Sequence, residues 1–487
     1  MALDYDLSSI QEARDLARKA KQAYEEFSDC CEKSNDRIVA AMAQAAEENA
    51  LNLARMAVEE TTYGVLAHKV LKNLFAAKDV YNHIKHEKTV GVIREDKEKR
   101  LVEVAVPVGV VMGITPTTNP TSTVIHNALC AVKAGNSIVF SPHPNAAKCS
   151  AAAAKILNDA AVKAGAPDGL VSCITKTSRQ ATDELMHHPD VSVIIATGGS
   201  AMVKAAYSAG KPAFGVGPGN VPVFIERTAD VKQAVKDIIT SKSFDNGMIC
   251  ASEQAIIADE PIKDEIVAEF KRQGGHFLND DEVRKVSAAV LTAQGGMIAS
   301  LVGRTPQYIG EKAGVPVPPD AKVLIAPLAG FGKGYPLSHE KLTTVLAFYT
   351  VKNWHEACEL SIELLRMGGI GHSFSMHSQD DRIIREFIRK PVFRILVNTP
   401  SAFGAIGYST GLTPSLTLGC GTWGGSSISE NLSAHHLVNV KRLAYGIRKV
   451  DLGDSERINR SASASAAVRP DEIAEVVKQV LRQLKVS

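Results

Sequence analysis

The sequence lacks any apolar run long enough to cross a bilayer, and its first residues, MALDYDLSSIQEARDL, carry acids where a secretory leader has a basic patch and then an apolar stretch. A membrane span and a cleaved leader are both excluded on this reading, and the chain is expected to be intracellular and cytoplasmic. Net charge is scarce as well: 55 Lys and Arg against 53 Asp and Glu leave a formal +2. Nucleic acids and anionic membranes are recognised by clustered cations, so neither is an expected partner. The eight cysteines, at 30, 31, 130, 149, 173, 250, 358 and 420, contain no C-x-x-C pair, and no histidine spacing suggests zinc. No metal is expected, and most of these thiols read as small, reduced, buried apolar residues. No internal repeat is visible, which removes solenoid scaffolds from consideration.

What is present is ordinary globular material. Hydrophobic residues make up 45% and charged residues 22% of 487 positions, a length that exceeds one hydrophobic core and calls for at least two domains. Residues 8 to 29 show a helical period, with Ile10, Ala13, Ala17, Ala20, Tyr24 and Phe27 on one stripe and Ser8 or Ser9 as N-cap. From Thr89 to Val106, TVGVIREDKEKRLVEVAV alternates on both sides of a charged tip, the pattern of a hairpin. Its apolar face wants a partner, which suggests oligomerisation.

Between Pro107 and Arg227 the apolar runs VGVVMGI, NSIVFSP, LVSCI, VSVIIATGG and VPVFI alternate with Ala-rich helical stretches. This is the β-α alternation of a parallel, doubly wound sheet, whose ligands sit beyond the carboxyl ends of its strands. TPTTNP, SPHPN, TGGS and GVGPGN fall there. A second α/β region follows from about Ser241 to about Glu430, with glycine-rich MGGIGHSF and LGCGTWGGSS. The expected organisation is α/β throughout. Residues 1–88 and 107–240 form a candidate cofactor-binding domain, 89–106 a hairpin suited to oligomerisation, 241–430 a second α/β domain, 431–460 a C-terminal segment, and 461–487 a linker with an amphipathic helix.

One cysteine stands apart. NGMICAS sets Cys250 in a loop after an Asn-Gly turn, where a stabilised thiolate would be a nucleophile. For a lone cysteine the structural role is the commoner one; four longer runs decide otherwise. TPTTNPTST at 115 to 123, SFDNGMICASEQ at 243 to 254, RILVNTPS at 394 to 401 and TPSLTLGCGTWGGSSISEN at 413 to 431 resemble the acylating aldehyde dehydrogenase module of bifunctional aldehyde-alcohol dehydrogenases. The likeness runs from about Ser8 to Ala444, in the same order.

The resemblance implies a fold and a chemistry. Cys250 would attack a short aldehyde, and Asn119 with the backbone N–H of Cys250 would form the oxyanion hole, although Asn119 also suits the turn before Pro120. A nicotinamide cofactor, NAD with NADP as the alternative, would be held by Thr115, Pro116, Ser141, Thr197, Gly198, Gly199, Gly217 and Glu340. Ser141 and His143 stand where hydrolytic relatives have a Lys for the adenine ribose. His372 matches the His of a G-H-T segment and would assist thiol deprotonation. Hydrolytic relatives also carry a Glu in an ELGGK-like turn, whereas this chain reads GVGPGN and has no Asp or Glu from Ala201 to Ile225. That absence favours coenzyme A over water as acyl acceptor. The expected product is acetyl-CoA from acetaldehyde, with propionaldehyde, sulfoacetaldehyde or succinate semialdehyde as other substrates. Release of a carboxylate, or a scaffold role without catalysis, are the competing readings. The family assembles as dimers and often tetramers.

Bifunctional relatives continue into an iron-dependent alcohol dehydrogenase, whereas here NRSASASAAVRP and then DEIAEVVKQVLRQLKVS follow, so only the aldehyde half is expected. Ile473, Val476, Val477, Val480, Leu481 and Leu484 fall at helical spacing. The tail resembles encapsulation peptides of bacterial microcompartments, and a shell protein is the expected partner of residues 468–487. Its mixed charge lacks the strongly cationic face that suits a membrane surface.

Overall fold

The apolar runs become strands because helices cover both faces of the sheets they join, and parallel strands buried on both sides read as continuous apolar stretches. The computed structural model describes residues 2–28, 32–292, 296–450, 457–462 and 469–483. Cys30, Cys31 and Leu484 lie outside them. The strands in chain order are β1 (Gly91–Asp96), β2 (Leu101–Pro107), β3 (Val110–Thr115), β4 (Ser137–Pro142), β5 (Val171–Cys173), β6 (Val191–Thr197), β7 (Ala213–Val216), β8 (Val221–Ile225), β9 (Glu253–Asp259), β10 (Gly275–Phe277), β11 (Val323–Pro327), β12 (Val345–Val351), β13 (Gly371–His377), β14 (Val392–Val397) and β15 (Val438–Ala444).

Two compact units emerge, residues 1–93 with 105–441, and residues 94–104 with 442–487. The larger holds two parallel sheets. The first runs β5-β4-β3-β6-β7 and the second β10-β11-β12-β9-β8-β13-β14. In the first sheet the order reverses between β3 and β6, so the ends of those strands, Thr115 and Thr197, border its topological switch point. Apolar side chains from β3, β4 and the helix Pro120–Lys133 pack with the N-terminal helices in one core, while β8, β9, β11 and β12 build another.

Two expectations need correction. VPVFI was expected in the first sheet, yet as β8 it pairs with β9 and β13 in the second, and the fifth strand of the first sheet is the short β7 instead. Run length concealed this: AFGV is too brief to stand out, and VPVFI follows it after only Gly217–Asn220. The first helix spans Ala2–Phe27, so Ser8 and Ser9 lie inside it rather than capping it. Ser9 is buried and its hydroxyl meets that of Ser178 at 2.7 Å. Ala13, Ala17, Ala20 and Phe27 are buried on the predicted stripe.

In the smaller unit Arg442 donates to Glu103 (Nε to Oε1, 3.1 Å), and the Arg100 guanidinium lies 5.1 Å from the centre of the Tyr445 ring. A helix, Pro470–Gln483, carries exposed Ile473, Val476, Val477, Val480 and Leu481. A helical stretch at 457–462 reaches into the region read as linker; residues 463–468 lie outside those described.

Candidate active site

Cys250 follows a turn of unusual backbone. Asp245 and Asn246 are left-handed (φ 50° and 55°), and Gly247 follows at φ 79°. Asn and Asp tolerate that region better than most residues. Gly247 admits no side chain, since a Cβ would stand 2.6 Å from the Thr343 carbonyl oxygen. Buried charges hold the turn. The Asp245 carboxylate accepts from Lys69 Nζ (3.1 Å), Lys72 Nζ (2.5 Å) and the Val65 N–H (2.8 Å), with both lysine side chains only 3% exposed. Burial works to raise the Asp245 pKa, but Lys72 and Lys69 outweigh it and hold the carboxylate below its ordinary range. Burial also lowers Lys72 to about 8 despite that partner.

Lys72 reaches further. Its ammonium donates to the Met248 carbonyl (3.0 Å) and to Asn119 Oδ1 (2.6 Å). An ammonium only donates, so the Asn119 amide must turn its oxygen to Lys72 and its Nδ2 away. Nδ2 donates to Thr118 Oγ1 at 3.2 Å, which leaves one hydrogen for another acceptor. Asn119 caps the helix Pro120–Lys133 by position, yet its side chain makes no capping bond. Shaping the turn therefore does not occupy the amide, and a donor suited to a developing oxyanion is left.

The thiol itself meets a histidine. His372 Nε2 lies 3.1 Å from Cys250 Sγ, and its Nδ1 lies 3.0 Å from Ser373 Oγ. His372 is the second residue of β13, Cys250 precedes β9 and Gly219 precedes β8, so adjacent strands present all three at the amino edge of the second sheet. Gly219 is required there: a Cβ would fall 1.8 Å from the Cys250 carbonyl oxygen and 3.4 Å from the His372 ring. Burial pushes the Cys250 thiol up to about 12, with the Glu340 carboxylate and Cys420 adding to the rise and Arg394 opposing it. Burial, then Arg394, holds His372 well below its ordinary value, so the imidazole is neutral.

Glu340 shows what a reading of single segments misses. The GVGPGN turn carries no acid, but the fold delivers one to it, because Gly219 N–H donates to Glu340 Oε1 at 3.0 Å. Burial raises that carboxyl to about 7. Gly217 in the same turn lies against the loop that follows β14: a Cβ on it would be 3.6 Å from the Gly424 carbonyl oxygen and 3.7 Å from Cys420 Sγ.

The remaining predicted positions gather at the switch point of the first sheet. Thr115 Oγ1 and Thr197 Oγ1 are buried hydroxyls with no hydrogen-bond partner among the described residues. Nothing stands within 4 Å of where a Gly199 Cβ would be, and Gly199 precedes the helix Ser200–Ser208. Two unpaired hydroxyls beside an open helix start fit a dinucleotide, whose phosphates and ribose supply partners for such groups. Gly198 stands between Thr197 and Gly199, and partly exposed Pro116 directly follows β3. Ser141 is engaged within the protein, its Oγ 2.8 Å from Thr182 Oγ1.

Among the described residues, one group of side chains outside this site has metal-ligand character: Glu430, His435 and His436 bring their ligand atoms within 4.8 Å of one another. His436 Nδ1 accepts from the Ser433 N–H (3.0 Å), which puts the ring proton on Nε2, and Nε2 faces Glu430 Oε1 at 3.0 Å. That lone pair is unavailable to a cation. Two clefts of ≈ 650 Å³ flank the carboxyl ends of β11 and its neighbours, and no predicted site residue lines either.

The sequence profile of the aldehyde dehydrogenase family matches residues 3–287. This chain belongs to the aldehyde dehydrogenase family. It is 43% identical over 444 residues to the bifunctional aldehyde-alcohol dehydrogenase AdhE of Escherichia coli (strain K12), an alignment covering 90% of this chain and 50% of that relative. The chain thus spans about half the length of that curated relative. An acetylating aldehyde dehydrogenase from Geobacillus thermoglucosidasius is 53% identical with a TM-score of 0.90, covering 92% of this chain and 99% of that one. A propionaldehyde dehydrogenase from Rhodopseudomonas palustris, solved with bound CoA and an acylated cysteine, is 29% identical with a TM-score of 0.80 and covers 89% and 97% of the two chains. The two parallel sheets are accordingly those of the aldehyde dehydrogenase fold.

Three residues of the site escaped the sequence reading. Lys72 sits in AHKVLKNL, where a lysine at helical spacing reads as solvent-facing. Arg394 lies within RILVNTPS without drawing attention, and Ser373 follows His372 as one serine among many. A cation within an apolar strand, as in VFRILV, is the one signal that pointed to a buried role.

Proposed function

We propose that this chain oxidises a short aldehyde, acetaldehyde first among candidates, to its acyl-CoA with reduction of NAD or NADP. The observation that carries the reading is the 3.1 Å approach of His372 to Cys250 Sγ, beside a turn with no acid of its own. Cys250 sulfur attacks the aldehyde carbon, and Asn119 Nδ2 with the Cys250 backbone N–H meets the oxyanion. Thr115, Pro116, Ser141, Thr197, Gly198, Gly199, Gly217 and Glu340 would hold the dinucleotide. When bound, that cofactor supplies the hydride acceptor. Coenzyme A thiol then displaces Cys250 from the thioester, with His372 in contact with the departing sulfur. The bound CoA and acylated cysteine of the Rhodopseudomonas palustris relative support this order of events.

One observation favours a second reading. Glu340 reaches the turn next to Cys250 and burial brings it to about 7, the range of a general base for water. Acting so, it would release a carboxylate. NADH formation from acetaldehyde and NAD, with and without coenzyme A, separates the two. Strict dependence on coenzyme A with acetyl-CoA as product supports acylation, whereas equal rates giving acetate overturn it.

The hairpin β1–β2 suits self-association into dimers or tetramers. The exposed stripe on the helix Pro470–Gln483 suits a groove on a microcompartment shell protein, which would place the enzyme inside such a compartment. Among the described residues no helix is long and apolar enough to cross a membrane.

A further inference from the structure

Arg394 is 3% exposed and spends its donors internally: Nε on Ser373 Oγ (3.3 Å), one terminal nitrogen on Asn431 Oδ1 (3.2 Å) and the other on the Gly419 carbonyl (2.6 Å). Ser373 is fully buried, and its hydroxyl oxygen has two polar neighbours, Arg394 Nε and His372 Nδ1. A guanidinium cannot accept, so Ser373 Oγ accepts from Arg394. Its own hydrogen then has a single acceptor in reach among the described residues, His372 Nδ1. Leaving a buried hydroxyl hydrogen unpaired carries a desolvation penalty, which selects this arrangement over one with both donors aimed at Oγ. If Nδ1 accepts, the neutral ring carries its proton on Nε2, and Nε2 is the atom 3.1 Å from Cys250 Sγ.

We infer that Arg394 and Ser373 are positioning residues that lock His372 in the Nε2–H tautomer, so that it donates a hydrogen bond to the Cys250 sulfur instead of standing as its base. The inference rests on the reading of Cys250 as nucleophile, and it alters what His372 contributes. A donor at the sulfur stabilises negative charge there twice. It does so before attack, once the thiol has released its proton to solvent and the thiolate holds the electron pair, and again when the acyl carbon–sulfur bond breaks and the pair returns to Sγ. Neutrality of the ring agrees with this, since burial and the Arg394 charge both oppose an imidazolium. The charged and titratable groups that Cys250 feels include Glu340 and Cys420, which disfavour its thiolate, and Arg394 and Lys72, which favour it.

Two measurements test the inference without using turnover. Iodoacetamide alkylation of Cys250, followed on its peptide by mass spectrometry as a function of pH, reads thiolate availability. In Ser373→Ala the ring loses its enforced tautomer, and the log-rate line is expected to move about one unit to higher pH, a roughly tenfold slower reaction at any fixed pH. Ser373→Thr, which keeps the hydroxyl, is expected to restore the line. An unmoved line in Ser373→Ala, or no restoration in a folded Ser373→Thr, overturns the inference. Should Ser373→Ala not fold, ¹⁵N shifts of the His372 ring in the wild-type protein, assigned with His372→Gln, decide the matter alone. A proton on Nε2 is expected, and a proton on Nδ1 would refute it. Loss of the nucleophile assignment would appear separately, as turnover surviving in Cys250→Ala.

Discussion

Lys72 Nζ donates to Asn119 Oδ1 at 2.6 Å, and this one contact decides that the amide turns its oxygen to the lysine and leaves Nδ2 as the donor for the proposed oxyanion. The same ammonium is anchored on Asp245, five residues before Cys250. Nucleophile loop and oxyanion donor thus share one buried cation. Asn119→Ala is expected to lower kcat by about 10²–10³, the loss typical of a removed oxyanion donor. Lys72→Met should lower kcat by no more than that, and the double variant should be little worse than Asn119→Ala alone. Steady-state kinetics of the four proteins check it; additive losses would mean that Lys72 acts independently of the amide.

Glu340 gives a pH-dependent prediction. Its carboxylate disfavours the Cys250 thiolate, so Glu340→Gln should make Cys250 alkylation faster, roughly three- to tenfold at pH 8.5. The sign follows from ionisation. Burial places Glu340 at about 7, so below that pH the wild-type carboxyl is neutral and the two proteins should react alike, while above it the gap opens. A constant gap across pH 5.5 to 9 would assign the effect to geometry, because the glutamine oxygen can still accept from Gly219 N–H.

How far the sequence carried the argument can be judged from these residues. Long apolar runs such as NSIVFSP announced β4 because a strand buried on both faces has to be apolar throughout. VPVFI was equally legible as a strand, but its sheet was not, since membership depends on pairing partners distant in the chain. Cys250, Asn119 and His372 carried recognisable local patterns. Lys72, Ser373 and Arg394 did not, because their meaning arises only when distant chain segments close on one another, as Lys72 does on Asn119 and Asp245, 47 and 173 residues away. Burial of a charge is a tertiary property, and spacing does not encode it.

Gly219 tests how tightly the turn is fitted. A methyl group there would overlap the Cys250 carbonyl, with no flexible side chain to give way. Gly219→Ala should displace the nucleophile loop, lower kcat by at least about 10²-fold as a misplaced reacting group does, and destabilise by about 1–3 kcal/mol as overpacking does. Thermal unfolding beside kinetics checks both. Full activity in this variant would show that the loop moves freely.

The tail makes a prediction separate from chemistry. A chain lacking residues 469–487 should keep kcat and KM for aldehyde in solution, since no residue of the site comes from that helix. Val477→Asp with Leu481→Asp places charge on its exposed apolar stripe. Full-length protein is expected to co-sediment with assembled shell protein, and the doubly substituted chain is expected to remain in the supernatant. Co-sedimentation unaffected by the two aspartates would remove this helix as the docking element.

The unpaired hydroxyls at the switch point yield a prediction in which stability and binding part company. Thr115 Oγ1 and Thr197 Oγ1 are buried without partners among the described residues, an arrangement that costs free energy in the cofactor-free protein. Valine has the same shape without the hydroxyl, so Thr197→Val should leave the unfolding temperature unchanged or raise it. If a dinucleotide supplies the missing partner, the same substitution should weaken its binding by about five- to tenfold, the worth of one hydrogen bond of about 1–1.5 kcal/mol. Calorimetric titration with NAD and thermal unfolding measure the two effects on one sample. Weaker binding with an intact or higher unfolding temperature means the hydroxyl is kept for the ligand. A drop in stability with unchanged binding means it serves the fold, and the switch point of the first sheet would then have to hold the cofactor by its backbone alone.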